Sequence, residues 1–181
     1  SGSDGEGNGW NKEHSFPNSW FSQTSSTSKF PGADLFHLYP TDMDVNSLRG
    51  NYPYGVVATA STTTQNGSKL GTSSISFPGY SGPVFEPIDA YKGDLARSTL
   101  YMVTRYQADV PTWETYQAGG NAVMDGTTWP SVEPAYLQML ISWHNADPVS
   151  AKEIKRNDDI YGFQHNRNPF IDHPEYVDKI W

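Results

Sequence analysis

Apolar positions along the chain fall into two regimes. In the first half they come as short runs broken by turn residues, and in the second half they recur at helical spacing. The run ADLFHLYP (33–40) is apolar, carries aromatics and ends in proline, which predicts a buried strand. TDMDVNSLRGN (41–51) follows with helix punctuation at both ends. Thr41 is the expected N-cap, Asp44 sits three positions on, and Gly50 suits the C-terminal end. Asn46 then lies in mid-helix, where its propensity is poor, so something other than helix formation placed it there.

The stretch from 52 to 87 reads as turns and short Thr/Ser-rich strands, with a hairpin about Asn66-Gly67. Three helices are predicted after it. Asp94 would cap LARSTLYMVTRY, with Leu95, Thr99, Met102, Val103 and Tyr106 on its core stripe. PAYLQMLISWHN starts on Pro134 and gathers Leu137, Leu140, Ile141 and His144 on one face. AKEIKRNDDIYGFQ is more weakly patterned, with Ala151, Ile154, Asp158 and Tyr161 together. The remaining tail reads as irregular. Residues 1–9 and 22–29 are polar and aperiodic; the former is expected to be a flexible lead before one α+β domain over 10–181.

Composition narrows this picture. Of 181 residues, 36% are hydrophobic, 14% aromatic and 18% charged, which predicts a core built on rings and joined by long loops. A net charge of −8 runs against a broadly basic nucleic-acid surface, although only the charge near a groove governs such contacts, and a bound divalent cation reverses its sign. There is no cysteine, so disulfides and zinc–thiolate sites are excluded. No apolar run reaches membrane-spanning length.

The candidate chemistry starts in GWNKEHSFPNSW (9–20), where Glu13 and His14 are adjacent and Trp10 and Pro17 would hold the strand end. Taken alone, a Glu-His pair is most simply a surface hydrogen bond, and Asn46 a solvent-facing residue. Together they form a pattern: a histidine ending one extended segment, a second segment, then a helix bearing an oxygen ligand. That order assembles a ββα-metal site. Asp42, Asn46 and Arg49 share a helix face by their spacing. Carboxylate and amide oxygens suit Mg²⁺, and the absence of HExxH or a cysteine pair disfavours a zinc hydrolase.

WNKEHSFPNSW, DLFHLYPTDMDVNSLRGN, YKGDLARSTLYMVTRY and EIKRNDDIYGFQHNRNPFIDHPE occur in an order that resembles the bacterial endonuclease I family, secreted or periplasmic nucleases. The resemblance covers Trp10 to Trp181. It implies an α+β fold with a ββα-metal (His-Me finger) core, a packed helical layer and long loops. It further implies metal-dependent, sequence-non-specific endonuclease cleavage of DNA, with RNA left open as a second substrate, leaving 5′-phosphates. His14 would be the general base and Glu13 and Asn46 would hold Mg²⁺, with Mn²⁺ or Ca²⁺ as substitutes. An arginine, Arg49 or Arg167, would offset charge on the scissile phosphate.

Other candidates carry plainer readings. His37 is either a neighbour of the site or a core hydrogen-bonding group. His144, on an apolar helix face, reads as structural. His165 and His173 position phosphate or lock the tail, and locking is favoured for His173. Arg97 and Arg105 read as salt-bridge or surface residues. The rival to a nuclease is a secreted module that keeps the fold and grips nucleic acid or another partner without cutting it.

Overall fold

The computed structural model describes residues 6, 7, 9–22 and 30–181. Most of the expected flexible lead, and the polar run from 23 to 29, lie outside the described residues. Strand β1 (Trp10–His14) pairs antiparallel with β2 (Leu38–Asp42), placing Glu13 opposite Tyr39 and His14 opposite Leu38. A single helical turn, α1 (Asn18–Phe21), follows β1, and α2 (Met43–Arg49) follows β2 directly. A second sheet of order β3–β4–β5 (Val57–Thr63, Lys69–Ser73, Val84–Glu86) is antiparallel throughout. Its first two strands turn through Thr64–Ser68, where Gly67 has φ of +97°, so the hairpin predicted at Asn66-Gly67 is present.

The remaining chain is helical. Helix α3 (Lys92–Arg105) leads through short α4 (Val110–Trp113) and α5 (Ala118–Asn121) to α6 (Pro134–Ala146) and α7 (Ala151–Gln164). The tail expected to be irregular contains two further helical turns, α8 (Pro169–Asp172) and α9 (Val177–Ile180). Their order comes from a distant partner: Asn168 caps α8 through Phe170 N–H, and its own N–H donates to buried Asn157. The architecture is α+β.

Two boundaries differ from the sequence expectation for physical reasons. The strand predicted from residue 33 begins only at Leu38, after a 3₁₀ turn at Leu35–His37. Buried Asp34 imposes that turn: Oδ1 accepts from Phe36 N–H, while Oδ2 accepts from the hydroxyls of Tyr101 and Tyr106, both at 2.8 Å. The helix predicted from Thr41 is capped instead by Asp42, whose Oδ1 accepts from Asp44 and Val45 N–H. Gly50 ends α2 with φ of +54°, a conformation open to glycine.

Helix α3 is the hub, buried on every side from Gly93 to Val103. A Cβ at Gly93 would lie 2.0 Å from the Asp147 carbonyl oxygen, so glycine there lets α3 approach the end of α6. Asp94 is not the N-cap but sits inside the first turn, paired with Lys152 and Arg97. On α6 the buried face is Tyr136, Met139, Leu140, Trp143 and His144, one step round from the expected stripe. On α7 the departure is larger: Glu153, Asn157 and Ile160 turn inward, while Ile154 is 50% exposed. The cause is Arg97, fully buried on α3, whose guanidinium takes both Glu153 oxygens at 2.6 and 2.9 Å. A buried guanidinium outranks an aliphatic side chain in its claim on the inner face.

Replacing Glu153 with alanine strands Arg97 in the core and is expected to lower the unfolding free energy by about 3–5 kcal/mol. Ile154→Ala, one residue along, should change it by less than about 0.5 kcal/mol. Urea denaturation of the two variants checks the assignment of the inner face.

Candidate functional site

The two-residue period of β1 sends Asn11 and Glu13 to one face and Lys12 and His14 to the other. Helix α2 lies along the first face, and its own periodicity brings Asn46 and Arg49, nearly one turn apart, against those two residues. Asn46 Nδ2 donates to Asn11 Oδ1 at 2.7 Å. Arg49 Nη1 donates to Glu13 Oε1 at 2.7 Å and to the His14 carbonyl at 2.9 Å, and Nη2 donates to the Ser15 carbonyl at 2.8 Å. Arg49 is 2% exposed and stacks on Tyr54, with its guanidinium carbon 4.5 Å from the ring centroid.

A recess of about 180 Å³ wraps round the end of β1 and is lined by Lys12, Glu13, His14, Asn46 and Arg49 together with Asn51. Four of the five site residues singled out in the sequence therefore meet. Arg167 does not line this recess; it pairs on the surface with Asp172 at 2.7 Å and Asp158 at 2.9 Å. Lys12 was not singled out, although alternation along an extended segment ending at His14 places it on the histidine's face.

His14 Nε2 lies 3.1 Å from the Gly32 carbonyl oxygen. A carbonyl only accepts, so Nε2 carries the hydrogen and Nδ1 keeps its lone pair. Burial holds the ring's pKa below the ordinary histidine value, with Lys12 and Arg49 adding to that effect and the Gly32 carbonyl opposing it. Burial raises the Glu13 carboxyl above its ordinary value, against the pull of Arg49. With Oε1 on Arg49, Oε2 is the Glu13 oxygen left for another ligand. Asn46 Oδ1 is likewise without a partner among the described residues. Among those residues no group of three or more His, Asp or Glu side chains is placed to hold an ion. One carboxylate oxygen and one amide oxygen suit a small hard cation that keeps most of its water.

The wall behind His14 is rigid. His37 is buried edge-on to it, ring centroids 5.2 Å apart, between the carbonyls of Phe16 and Pro31 at 3.1 and 3.0 Å. Ser15 and Ser98 of α3 share a 2.8 Å hydroxyl contact, tying the strand end to the hub. Trp10 is 71% exposed and does not brace the strand; buried Phe16 and Trp20, edge-to-face at 5.2 Å, do. His144 is packed against Arg97, His165 ends α7 with φ of +57°, and His173 stacks on Tyr176. None of these three lines the recess.

Burial, with His14 adding a smaller push, takes the His37 pKa down to about 4, while Asp34 and the two carbonyls pull the other way. The unfolded ring takes a proton near 6.5, so between these values the unfolded state binds more protons and stability falls as pH drops. Both ring nitrogens face carbonyls, which only accept and so favour the protonated ring, and the loss from this residue between pH 7 and pH 4 is therefore expected to stay at or below about 3 kcal/mol. His37→Asn should flatten that part of the profile, as read from urea unfolding across the range.

A family model for Endonuclease I matches residues 1–175. The chain is 42% identical over 177 residues to an extracellular ribonuclease of Bacillus subtilis (strain 168), and 39% identical over 177 residues to one of Bacillus amyloliquefaciens. Each match covers 95% of this chain and 54% of the relative, so the chain spans about half the length of the curated relatives it matches.

Proposed function

The chain belongs to the endonuclease I family, and we propose that it is a secreted, metal-dependent nuclease that hydrolyses phosphodiester bonds of RNA and DNA without sequence preference. The observation that carries this reading is the convergence of the His14 ring, the Glu13 carboxylate and the Asn46 amide on one recess. We read β1, β2 and α2 as the ββα-metal core. The extracellular location rests on the names of the two relatives. Among the described residues no helix is long and apolar enough to cross a membrane.

A phosphodiester is an anion that resists attack by neutral water, so the site has to activate the water and accommodate the charge. His14 Nδ1 accepts the proton of the attacking water, while the Gly32 carbonyl fixes the tautomer through Nε2. The depressed pKa keeps that nitrogen free at neutral pH. Glu13 Oε2 and Asn46 Oδ1 would hold Mg²⁺, with Mn²⁺ or Ca²⁺ as substitutes. A divalent cation there supplies charge stabilisation to the phosphate and to the departing 3′ oxygen. The products on this reading carry 5′-phosphates.

Of the two arginines named from sequence, Arg49 is the one at the recess. Its nitrogens hold Glu13 and the strand end, so we assign it to positioning, with its charge acting on the phosphate from behind. Among the described residues Lys12, exposed on the recess, is a cation placed to meet the phosphate directly. Local charge thus favours an anionic strand despite the net −8.

Plasmid nicking and cleavage of a single-stranded RNA, with Mg²⁺ and then with EDTA, test the reading. His14→Ala should slow cleavage by about 10²–10⁴-fold, and EDTA should abolish it. Lys12→Ala should weaken strand binding and reduce the salt dependence by about one counterion. A folded wild-type protein that binds either strand without cutting it would instead establish the non-catalytic binding module.

A further inference from the structure

A second cavity, of about 210 Å³, lies on the other side of the Glu13–Arg49 pair and shares Glu13, Asn46 and Arg49 with the recess. Helix α2 and strand β2 form one wall, and the Asn66–Ser68 turn, strand β5 and the segment that follows it form the other. Val45, Phe85 and Leu95 make it apolar inside, and Tyr91, 43% exposed, stands at its rim. Lys152 sits over the Tyr91 ring, 4.1 Å from its centroid, and the ring also lines the cavity.

Two details define what the cavity can take. Asp42 lines it and is held ionised by the N–H groups of Gly7, Val45 and Asp44, so an anion is disfavoured there. Ser68 is buried at the turn and lines the cavity, and its hydroxyl makes no hydrogen bond among the described residues. Solvent reaches that hydroxyl through the cavity, so it is free to exchange water for a ligand's polar edge. The volume is below the roughly 300–1,000 Å³ of ordinary ligand pockets and suits one flat ring system.

We propose that this cavity receives an unstacked nucleobase of the strand whose phosphate lies in the recess. The base packs against Tyr91 and the apolar wall, and the Ser68 hydroxyl meets its polar edge. A hydroxyl both donates and accepts, so every base is tolerated and sequence is not read. A base inside a duplex stays stacked, so the cavity favours single-stranded substrates, as aromatic platforms for RNA do. The wall residues shared with the recess, Glu13, Asn46 and Arg49, tie the occupant to the substrate strand. The assignment rests on the nuclease reading above.

The test is binding in EDTA, where cleavage does not interfere, read by fluorescence anisotropy. The probes are a labelled single-stranded RNA octamer and an abasic strand of the same length and charge. Wild-type protein should bind the base-bearing strand about tenfold more tightly. Tyr91→Ala and the cavity-filling Ser68→Leu should each remove that preference and leave affinity for the abasic strand unchanged. Thermal melting accompanies both variants; should Ser68→Leu fail to fold, Tyr91→Ala, an exposed change, carries the test alone. An undiminished preference in the folded variants overturns the proposal, as does a wild type that binds both strands equally. Plasmid nicking by the wild type separates the two levels. A protein that cuts but has no base preference loses only the cavity, whereas one that neither cuts nor binds loses the nuclease reading as well.

Discussion

The site depends on one buried guanidinium. Arg49 gathers the Glu13 carboxylate and the carbonyls of His14 and Ser15 from across separations of 34 to 36 residues, and so fixes the end of β1 against α2. Removing a guanidinium from water is strongly unfavourable unless its donors are satisfied, so few other arrangements of these two elements are open. Its Nε remains buried without a partner, which sharpens the dependence on the others. Asn46 and Asn11 repeat the contact nearly one turn earlier, and together the two contacts set the register of helix on strand.

The rest of the molecule uses the same device elsewhere. Arg97 joins α3 to α7 through Glu153, and Asp34 joins the segment before β2 to α3 through two tyrosines and to α7 through Gln164. With only 36% hydrophobic residues, the core combines large rings with these buried polar ties. Gly32, whose carbonyl orients His14, lies two residues before Asp34, so the anchor on α3 and α7 also reaches the ring we propose as the base. The wall behind His14 is held from both sides.

This explains how far the sequence could be read. The α6 and α7 bounds were legible: Pro134 starts one, and the other, though weakly patterned, is delimited by the Ser150–Glu153 capping box and by His165 at φ of +57°. The inner face of α7 was not, because Glu153 and Asn157 are turned in by Arg97 and Asn168, the former 56 residues away. The strand expected from residue 33 failed over its first half because Asp34 answers to tyrosines more than 60 residues later. At the site, the adjacency of Glu13 and His14 and the odd placement of Asn46 were visible. That Arg49 would be a clamp was not, since an exposed and a buried arginine look alike in a helical pattern.

The most direct measurement is the cleavage rate of Arg49→Lys beside its melting midpoint. Lysine keeps the charge but lacks the fork of donors that reaches Glu13 and both carbonyls at once. If the clamp governs the proposed site, the variant stays folded and loses about 10- to 100-fold in cleavage, and the proposed Mg²⁺ requirement shifts to higher concentration. A folded Arg49→Lys protein with undiminished cleavage and an unchanged Mg²⁺ requirement would contradict it.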